Sequence, residues 1–253
     1  EPRDVKRLRL RMIGVDLANA DVEGSGQSVD GEFVELADPR DLKPGPTPAG
    51  LDRYLKPEPF IESDAPEIKA EAERMVAGVT GNRARAERLT REVNTLLEKK
   101  PTVSLPSARE VLRTRIGDCN EHTALYVAMA RALGLLARVA GGLVYLRGAF
   151  YYHAWPEVYI AEGGRGMWLP VDPTLNEYPA SAMHLRLARG GLDKQTVILG
   201  VIGRARMTLL DVQQKPGAVP TLVGAGAGPR AAPLAPQRPE SVGGRWWWRP
   251  AGR

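Results

Sequence analysis

Three residues with the chemistry of acyl transfer stand in order along the chain: a single cysteine, Cys119, then His153 and Asp172. A thiol that attacks a carbonyl carbon needs a base, which accepts the thiol proton and later protonates the leaving amine. The base in turn needs a third group on its other ring nitrogen, which fixes its tautomer and orientation. The three residue types therefore predict nucleophilic catalysis by cysteine, provided that the fold brings them together.

The position of Cys119 favours a reactive thiol. Cys119 follows Ile116-Gly117-Asp118 and opens a segment with helical character. A thiol at a helix start faces unsatisfied backbone N–H groups and the positive end of the helix dipole, which lower its pKa. Gly117 is expected to allow a tight turn into the helix. Taken alone, a lone cysteine is more often a small buried hydrophobic residue.

The elements that must position these residues begin with helices. Apolar periodicity and capping signals predict helices over residues 66–76, 83–99, 107–113 and 119–133. We expect Asp64 to cap the first helix and Ser107-Ala108-Arg109-Glu110 to form a capping box at the third. Gly134 is expected to end the fourth helix.

Strands follow the helices. Segments 136–146, 150–160 and 167–171 are rich in Val, Tyr, Trp and Leu, and Gly163-Gly164 predicts a hairpin between the last two. Shorter strands are expected near 184–188 and 204–212. His153 then lies on a strand, and Asp172 lies where the neighbouring strand ends. Helices followed by an antiparallel sheet define an α+β fold.

The remaining segments suggest four regions. Residues 5–13 alternate apolar and basic side chains, which is typical of a half-exposed strand, and Asp30-Gly31 predicts a turn into another strand. Because so few strands cannot bury a hydrophobic core by themselves, we expect residues 1–37 to be the end of a preceding β domain. Six prolines between residues 38 and 59 predict a linker over 38–62, before a catalytic domain over 63–212.

The C-terminal segment 213–253 is predicted to be a disordered, basic Gly/Pro-rich tail. It holds six Lys or Arg and one acid, so it carries the entire net charge of +5. Nucleic-acid binding is therefore not expected, because that function needs basic residues clustered on a folded surface. Trp246-Trp247-Trp248 between arginines could contact a membrane surface or a partner, or could simply be unstructured. No stretch approaches the ~20 apolar residues of a transmembrane helix.

Several ordered blocks resemble the transglutaminase-like superfamily. They are residues 117–124 (GDCNEHTA), 130–139 (ARALGLLARV), 153–158 (HAWPEV) and 171–174 (VDPT). The resemblance covers roughly residues 105–190 and implies a papain-like transglutaminase core. The family's usual Gly-Ile-Pro-Ala-Arg after the helix is here Gly-Leu-Leu-Ala-Arg, a change that touches no catalytic group.

The resemblance also implies roles and a reaction. Cys119 resembles the family's nucleophile, His153 its general base and acid, and Asp172 its orienting carboxylate. The implied enzyme attacks a peptide or glutamine carboxamide carbonyl and forms a thioester, without a cofactor. Water would complete a peptidase or deamidase reaction, whereas an amine would complete a transglutaminase reaction. The short loops resemble bacterial members of the family and favour hydrolysis.

Other interpretations stay open. Cys119 and His122, with His153 and Asp172, could bind zinc, although the triad explains three of them without metal. No acidic loop suited to calcium is present. Glu121 could pair with Arg138 or Arg131, and Trp155 is expected to pack in the sheet. The oxyanion hole must use the Cys119 backbone N–H, and its second donor is not identified.

A non-catalytic peptide-binding or assembly module of a multidomain protein is the alternative function, although an intact triad speaks against it. The substrate implied by the enzymatic interpretation is a protein or peptide. The compartment would be periplasmic or envelope-associated if a preceding region carries a signal, and otherwise cytoplasmic.

Overall fold

The structure, a computed structural model, describes residues 4–101, 107–190, 198 and 204–216, and the backbone of 230–232, 238–242 and 245–249. Its α-helices are α1 (Pro66–Met75), α2 (Asn82–Leu96), α3 (Ala108–Thr114) and α4 (Cys119–Ala132). Short 3-10 helices span Pro39–Asp41 and Leu51–Leu55. The strands are β1 (Val5–Ile13), β2 (Gln27–Asp30), β3 (Phe33–Ala37), β4 (Gly45–Pro46), β5 (Glu98–Lys99), β6 (Ile116–Gly117), β7 (Ala137–Leu146), β8 (Ala149–Glu162), β9 (Arg165–Pro170), β10 (His184–Arg189), β11 (Arg206–Gln214), β12 (Arg230–Ala232), β13 (Arg238–Val242) and β14 (Arg245–Arg249). The predicted α+β fold class is confirmed.

The chain divides into two compact units, each built from separate stretches of sequence. The first unit comprises Glu1–Leu42, Ala140–His153 and Ala180–Arg253, and the second comprises Lys43–Val139 and Ala154–Pro179. The domain limits suggested by the sequence stay predictions. Most of the tail 213–253, predicted to be disordered, lies outside the described residues, as do the side chains of its tryptophans.

The first unit contains a five-stranded antiparallel sheet in the order β12-β11-β1-β3-β2. The alternation that predicted β1 is confirmed, because Leu8, Leu10 and Met12 are buried and the residues between them are exposed. The expected turn at Asp30-Gly31 joins β2 to β3. β1 also pairs with β11, so the N-terminal strands bury their apolar face together with Met207 and Leu209. In the same unit β10 pairs with β7, which neighbours the beginning of β8.

The second unit packs its helices around α4. Twelve of the fourteen residues of α4 are buried, and α4 contacts α1, α2 and α3. Its apolar residues share a core with those of β8 and β9, including Val158, Ile160 and Leu169. β8 pairs with β9, and β9 pairs with β4. α4 is thereby fixed on several sides, and so is the residue with which it begins.

Local signals set the ends of several elements. Gly134 follows α4 with φ +77°, and Gly163 and Gly164 form the expected hairpin turn with φ +60° and +74°. Two capping predictions were wrong. Ala65 precedes α1, so Asp64 is not its cap, and Pro66 occupies the first turn, where no N–H is needed.

The predicted capping box at α3 does not form. Ser107 does precede the helix, but its hydroxyl donates to Glu62 Oε1 at 2.5 Å and not to the helix. Glu110 pairs with Arg113 within the same helix. A contact from 45 residues away therefore replaces the local one. Among the described residues no helix has the length and apolarity needed to cross a membrane.

Candidate active site

Cys119 is the first residue of α4, as predicted, and a reciprocal capping box fixes this helix start. Asp118 Oδ1 accepts the Asn120 N–H at 3.0 Å, and Glu121 Oε2 accepts the Asp118 N–H at 2.9 Å. The spacing of Asp118 and Glu121 is that of a capping box, a local signal that the sequence interpretation missed. Glu121 is therefore not the partner of Arg138 or Arg131 that had been considered.

Gly117 is required for a reason other than a tight turn. Its φ does not lie in the left-handed region, but a Cβ at this position would come 2.2 Å from Glu121 Cβ. A side chain at position 117 would therefore push away the carboxylate that caps the Asp118 amide. Gly117 and Glu121 therefore pack directly against each other at the start of α4.

The Cys119 thiol is buried and 6% exposed. Burial raises its pKa well above the ordinary value, and the negative charges of Asp118, Asp172 and Glu121 raise it further. A hydrogen bond from the Ala154 backbone acts in the opposite direction. The lowered pKa expected from the helix start is thus wrong, because loss of solvation and nearby carboxylates outweigh the helix terminus. Burial and the nearby carboxylates therefore favour the protonated thiol over the thiolate.

His153 is the residue immediately before Ala154 on β8, the strand whose amide contacts the thiol. The His153 side chain is 5% exposed. Within the second unit, the backbone N–H of Ala154 hydrogen-bonds to the Cys119 thiol. His153 itself belongs to the first unit, whereas Cys119 and Ala154 belong to the second.

Asp172 follows β9, as predicted, and is completely buried. Its Oδ1 accepts the N–H groups of Thr174 at 2.8 Å and Leu175 at 2.9 Å, so the residue also starts a turn. Backbone hydrogen bonds with Glu177 hold the base of this turn. The carboxylate is therefore held rigidly within the second unit, where its charge acts on the Cys119 thiol.

His184 is a neighbour of His153 that the sequence interpretation did not single out. The two rings lie 5.7 Å apart between centroids, with an interplanar angle of 54°. His184 Nδ1 lies 3.1 Å from the Ser181 carbonyl oxygen, so it donates there as an N–H. No spacing motif links residues 153 and 184. The sequence offered one indication of a role for His184, which is that the chain has only three histidines. In the structure all three are buried.

His122 lies one helical turn after Cys119 and is fully buried. Its Nδ1 lies 2.6 Å from the Asp118 carbonyl oxygen, and its Nε2 has no hydrogen-bond partner within the described part of the chain. Burial lowers the pKa of His122 to about 4, so the ring is neutral near pH 7. A zinc ion, the alternative raised from the sequence, would have Nε2 of His122 as its ring donor, because Nδ1 is occupied.

Arg131 near the end of α4 and Arg138 on β7 both have structural partners. Arg138 forms a buried ion pair with Glu157 at 2.6 Å. Arg131 donates to the carbonyl oxygens of Ala137 and Lys56 and pairs with Glu58. Trp155 is 1% exposed, so it is packed inside the fold as expected.

Comparisons with known proteins find one family match and several similar solved structures. Residues 69–173 match the model of the transglutaminase-like superfamily, which confirms the resemblance found in the sequence. The crystal structure of a candidate cysteine protease from Cytophaga hutchinsonii is 15% identical, covers 91% of this chain and 93% of its own, and superposes with a TM-score of 0.51. The periplasmic domain of TgpA from Pseudomonas aeruginosa is 19% identical over 69% of this chain and 73% of its own, with a TM-score of 0.43. None of the curated proteins matches the sequence.

Residues 69–173 therefore carry the similarity to the transglutaminase-like superfamily, within a fold of the α+β class. This class supports a cysteine-protease-like or transglutaminase-like function in general terms. The matched segment contains Cys119, His153 and Asp172, the three residues that carried the resemblance.

Proposed function

We propose that Cys119, His153 and Asp172 form the catalytic triad of a cysteine-dependent acyl-transfer enzyme. The carrying observation is the contact of the Cys119 thiol with the Ala154 amide, because it ties the nucleophile to the residue next to His153. Asp172 supports the assignment, since it is buried in the same unit as the thiol and its charge reaches it.

The raised pKa of the thiol defines what the base must do. A buried thiol with carboxylates nearby stays protonated, so attack requires that His153 removes the Sγ proton as the carbon–sulfur bond forms. The resulting imidazolium then protonates the leaving ammonia or amine. Asp172 stabilises the imidazolium and orients the ring.

The helix start supplies one oxyanion donor in this proposal. The capping box engages the amides of Asp118 and Asn120, and the intervening Cys119 amide is not part of it. We assign the Cys119 N–H to the oxyanion of the tetrahedral intermediate, where one such donor contributes roughly 10²–10³ in rate. The second donor is left unassigned.

The proposed substrate is a peptide or glutamine carboxamide. Attack gives a thioester on Cys119 and releases an amine or ammonia, and water then hydrolyses the thioester to a carboxylic acid and the free thiol. An amine in place of water would give a transamidated product. We propose hydrolysis as the main outcome, within a catalytic domain at residues 63–212.

The first test is alkylation of Cys119 by iodoacetamide, which reports on one thiol because the chain has one cysteine. His153→Ala is expected to slow alkylation at least ten-fold near neutral pH, since the base is lost. Asp172→Asn should slow it less. Glu110→Gln, which changes an exposed carboxylate on α3, is the matched control and should leave the rate unchanged.

Product formation is the second test. Glutamine peptides are incubated with the protein, with and without a primary amine, and ammonia, acid and amide products are quantified. Cys119→Ala should abolish every product while leaving thermal unfolding unchanged. Slow alkylation that His153→Ala does not alter, together with no product, would favour the non-catalytic binding or assembly module instead.

A further inference from the structure

A side chain of α2 holds the turn that follows Asp172, the proposed orienting carboxylate. Asn94, near the end of α2, donates from Nδ2 to the carbonyl oxygen of Pro173 at 2.7 Å and to that of Thr174 at 3.1 Å. The two acceptors lie 79 and 80 residues from Asn94 along the chain, and all of these residues belong to the second unit. A tertiary contact therefore fixes the backbone next to Asp172.

Two peptide groups connect Asn94 to the Asp172 carboxylate. The first carries the Pro173 carbonyl oxygen, which accepts from Asn94, and the N–H of the next residue, which donates to Asp172 Oδ1 at 2.8 Å. The second carries the Thr174 carbonyl oxygen, which also accepts from Asn94, and the Leu175 N–H, which donates to the same Oδ1 at 2.9 Å. Hydrogen bonds in such chains polarise and strengthen one another. The amide and the carboxylate are thus coupled through both peptide groups.

We propose that Asn94 is a positioning residue, which orients the Asp172 carboxylate for the reaction by holding these two peptide groups. The inference rests on the proposed triad, because Asn94 acts only through Asp172. The triad needs the other carboxylate oxygen, Oδ2, to face His153. A shift of the turn would move both N–H donors of Oδ1 and would rotate Oδ2 with them. A misplacement of about 1 Å can cost about 100-fold in rate.

The residue type at position 94 is suited to this contact. An asparagine amide nitrogen carries two hydrogens, one for each of the two carbonyl oxygens. Because both partners are acceptors, the nitrogen of the amide must face them, and this defines the orientation of the amide group. An aspartate or a leucine at this position offers no donor, so the two carbonyl groups would lose this partner.

α2 also packs against the helix that begins with Cys119. The apolar face of α2 is buried in the core of the second unit, where α2 contacts α4. The Tyr126 hydroxyl of α4 donates to the carbonyl oxygen of Ala86 on α2 at 3.1 Å. The helix that carries Asn94 is therefore in contact with both the helix of the nucleophile and the turn of Asp172. Asn94 relates the position of the carboxylate to this shared element.

Asn94→Leu tests the inference, because leucine is close in size to asparagine and has no hydrogen-bond donor. We expect alkylation of Cys119 by iodoacetamide near neutral pH to slow by about three- to ten-fold, and by no more than in Asp172→Asn. With glutamine peptides kcat should fall by a similar factor while KM stays unchanged, because Asp172 acts in the chemical steps. Thr95→Ala is the matched control and should change neither rate, since the exposed Thr95 hydroxyl donates to the Arg91 carbonyl within α2.

A double variant shows whether Asn94 acts through Asp172. Once the carboxylate is gone its orientation no longer matters, so adding Asn94→Leu to Asp172→Asn should slow alkylation no further. A general disturbance of α2 would instead slow alkylation by the same factor in both backgrounds, and that result would overturn the inference.

Asp172→Asn by itself separates the failure of this inference from the failure of the proposed function. If Asp172→Asn leaves alkylation and product formation unchanged, the triad is wrong and Asn94 has no carboxylate to position. If Asp172→Asn slows both and Asn94→Leu slows neither, the triad stands and the inference about Asn94 is overturned.

Hydrogen exchange in wild type keeps the inference falsifiable if Asn94→Leu folds poorly. The backbone amides of Thr174 and Leu175 and the side-chain amide of Asn94 should all be protected, because each donates within the contact described above. Rapid exchange of the Asn94 side-chain amide would show that it donates to solvent and not to the turn. The inference would then fail whatever the role of Asp172.

Discussion

Arg138 and Glu157 form a buried ion pair between β7 and β8 of the second unit. Arg138 Nη2 and Nε lie 2.6 and 2.7 Å from Glu157 Oε2, and the glutamate is completely buried. The Trp168 ring stacks on the guanidinium, with 3.8 Å between Arg138 Cζ and the ring centroid. The pair thus has a hydrogen-bonded face and an aromatic face, and it anchors the strand segment that directly follows Ala154.

Arg138→Met is expected to lower the free energy of unfolding by about 3–5 kcal/mol, because it leaves the Glu157 carboxylate buried without a counter-charge. Urea unfolding measures the change. The double variant Arg138→Met/Glu157→Met should recover most of the loss, since it removes the isolated charge as well. A loss below about 1 kcal/mol in the single variant would show that Glu157 is solvated or protonated in the fold.

Gly117→Ala is expected to change the position and reactivity of Cys119, although Gly117 lies two residues before the cysteine. The added Cβ would come within 2.2 Å of Glu121 Cβ, so the capping box must shift and the start of α4 with it. We expect a loss of about 1–3 kcal/mol in unfolding free energy and slower alkylation of Cys119. Gly45→Ala serves as a control for stability, because its Cβ would meet nothing within 4 Å and its φ does not lie in the left-handed region.

Local signals predicted the parts of this fold that depend on neighbours in sequence. α4 begins at Cys119 and is followed by Gly134 as expected, and the strands that carry His153 and precede Asp172 were placed correctly. Long-range partners could not be predicted. The Ser107 hydroxyl donates to Glu62, and Arg138 forms an ion pair with Glu157. Tertiary packing brings these groups together, and no sequence spacing predicts either contact.

In the candidate site, too, local sequence predicted some features, whereas features that depend on tertiary packing were not predicted. The residue types and their order predicted Cys119, His153 and Asp172 as a group, but not the pKa of the thiol. Burial, which raises that pKa, arises from the packing of α4 against the rest of its unit. His184 was missed because its relation to His153 exists only in three dimensions. The capping box of Asp118 and Glu121 was visible in the sequence and was overlooked.

His122 should make stability depend on pH. Burial lowers its pKa in the folded protein from an ordinary value of 6.5 to about 4. Between these values the unfolded chain binds a proton that the folded chain does not bind, so stability falls as the pH falls. The raised pKa of Asp118 acts in the opposite direction, because there the folded chain binds the additional proton below about pH 7.

His122→Leu isolates the histidine contribution. The difference in unfolding free energy between wild type and His122→Leu should change by about 3 kcal/mol between about pH 7 and about pH 4, to the disadvantage of wild type at low pH. Chemical denaturation at several pH values measures this difference. A difference that is independent of pH would mean that water reaches the ring and that its pKa is ordinary.

Arg186 holds a loop of the first unit through its backbone carbonyl groups. The buried guanidinium donates from Nε to the carbonyl of Asp21 at 3.0 Å, and from Nη2 to the carbonyls of residues 22–24 at 2.8–3.1 Å. A lysine ammonium is a compact donor and cannot reproduce this planar set of contacts. Arg186→Lys should therefore release the loop and lower the free energy of unfolding by about 2–4 kcal/mol.

Hydrogen exchange locates that effect. The amides of Asp21 and Gly24 donate to the carbonyls of Leu187 and Gln27, so both should lose protection in Arg186→Lys while the amides of β1 keep theirs. Arg206→Lys, an exposed arginine of the same unit, is the matched control and should change neither exchange nor stability. If Asp21 and Gly24 stay protected in Arg186→Lys, the loop is held by its own backbone hydrogen bonds. The guanidinium would then satisfy carbonyl groups that are already in place, so its effect on stability would be independent of loop order.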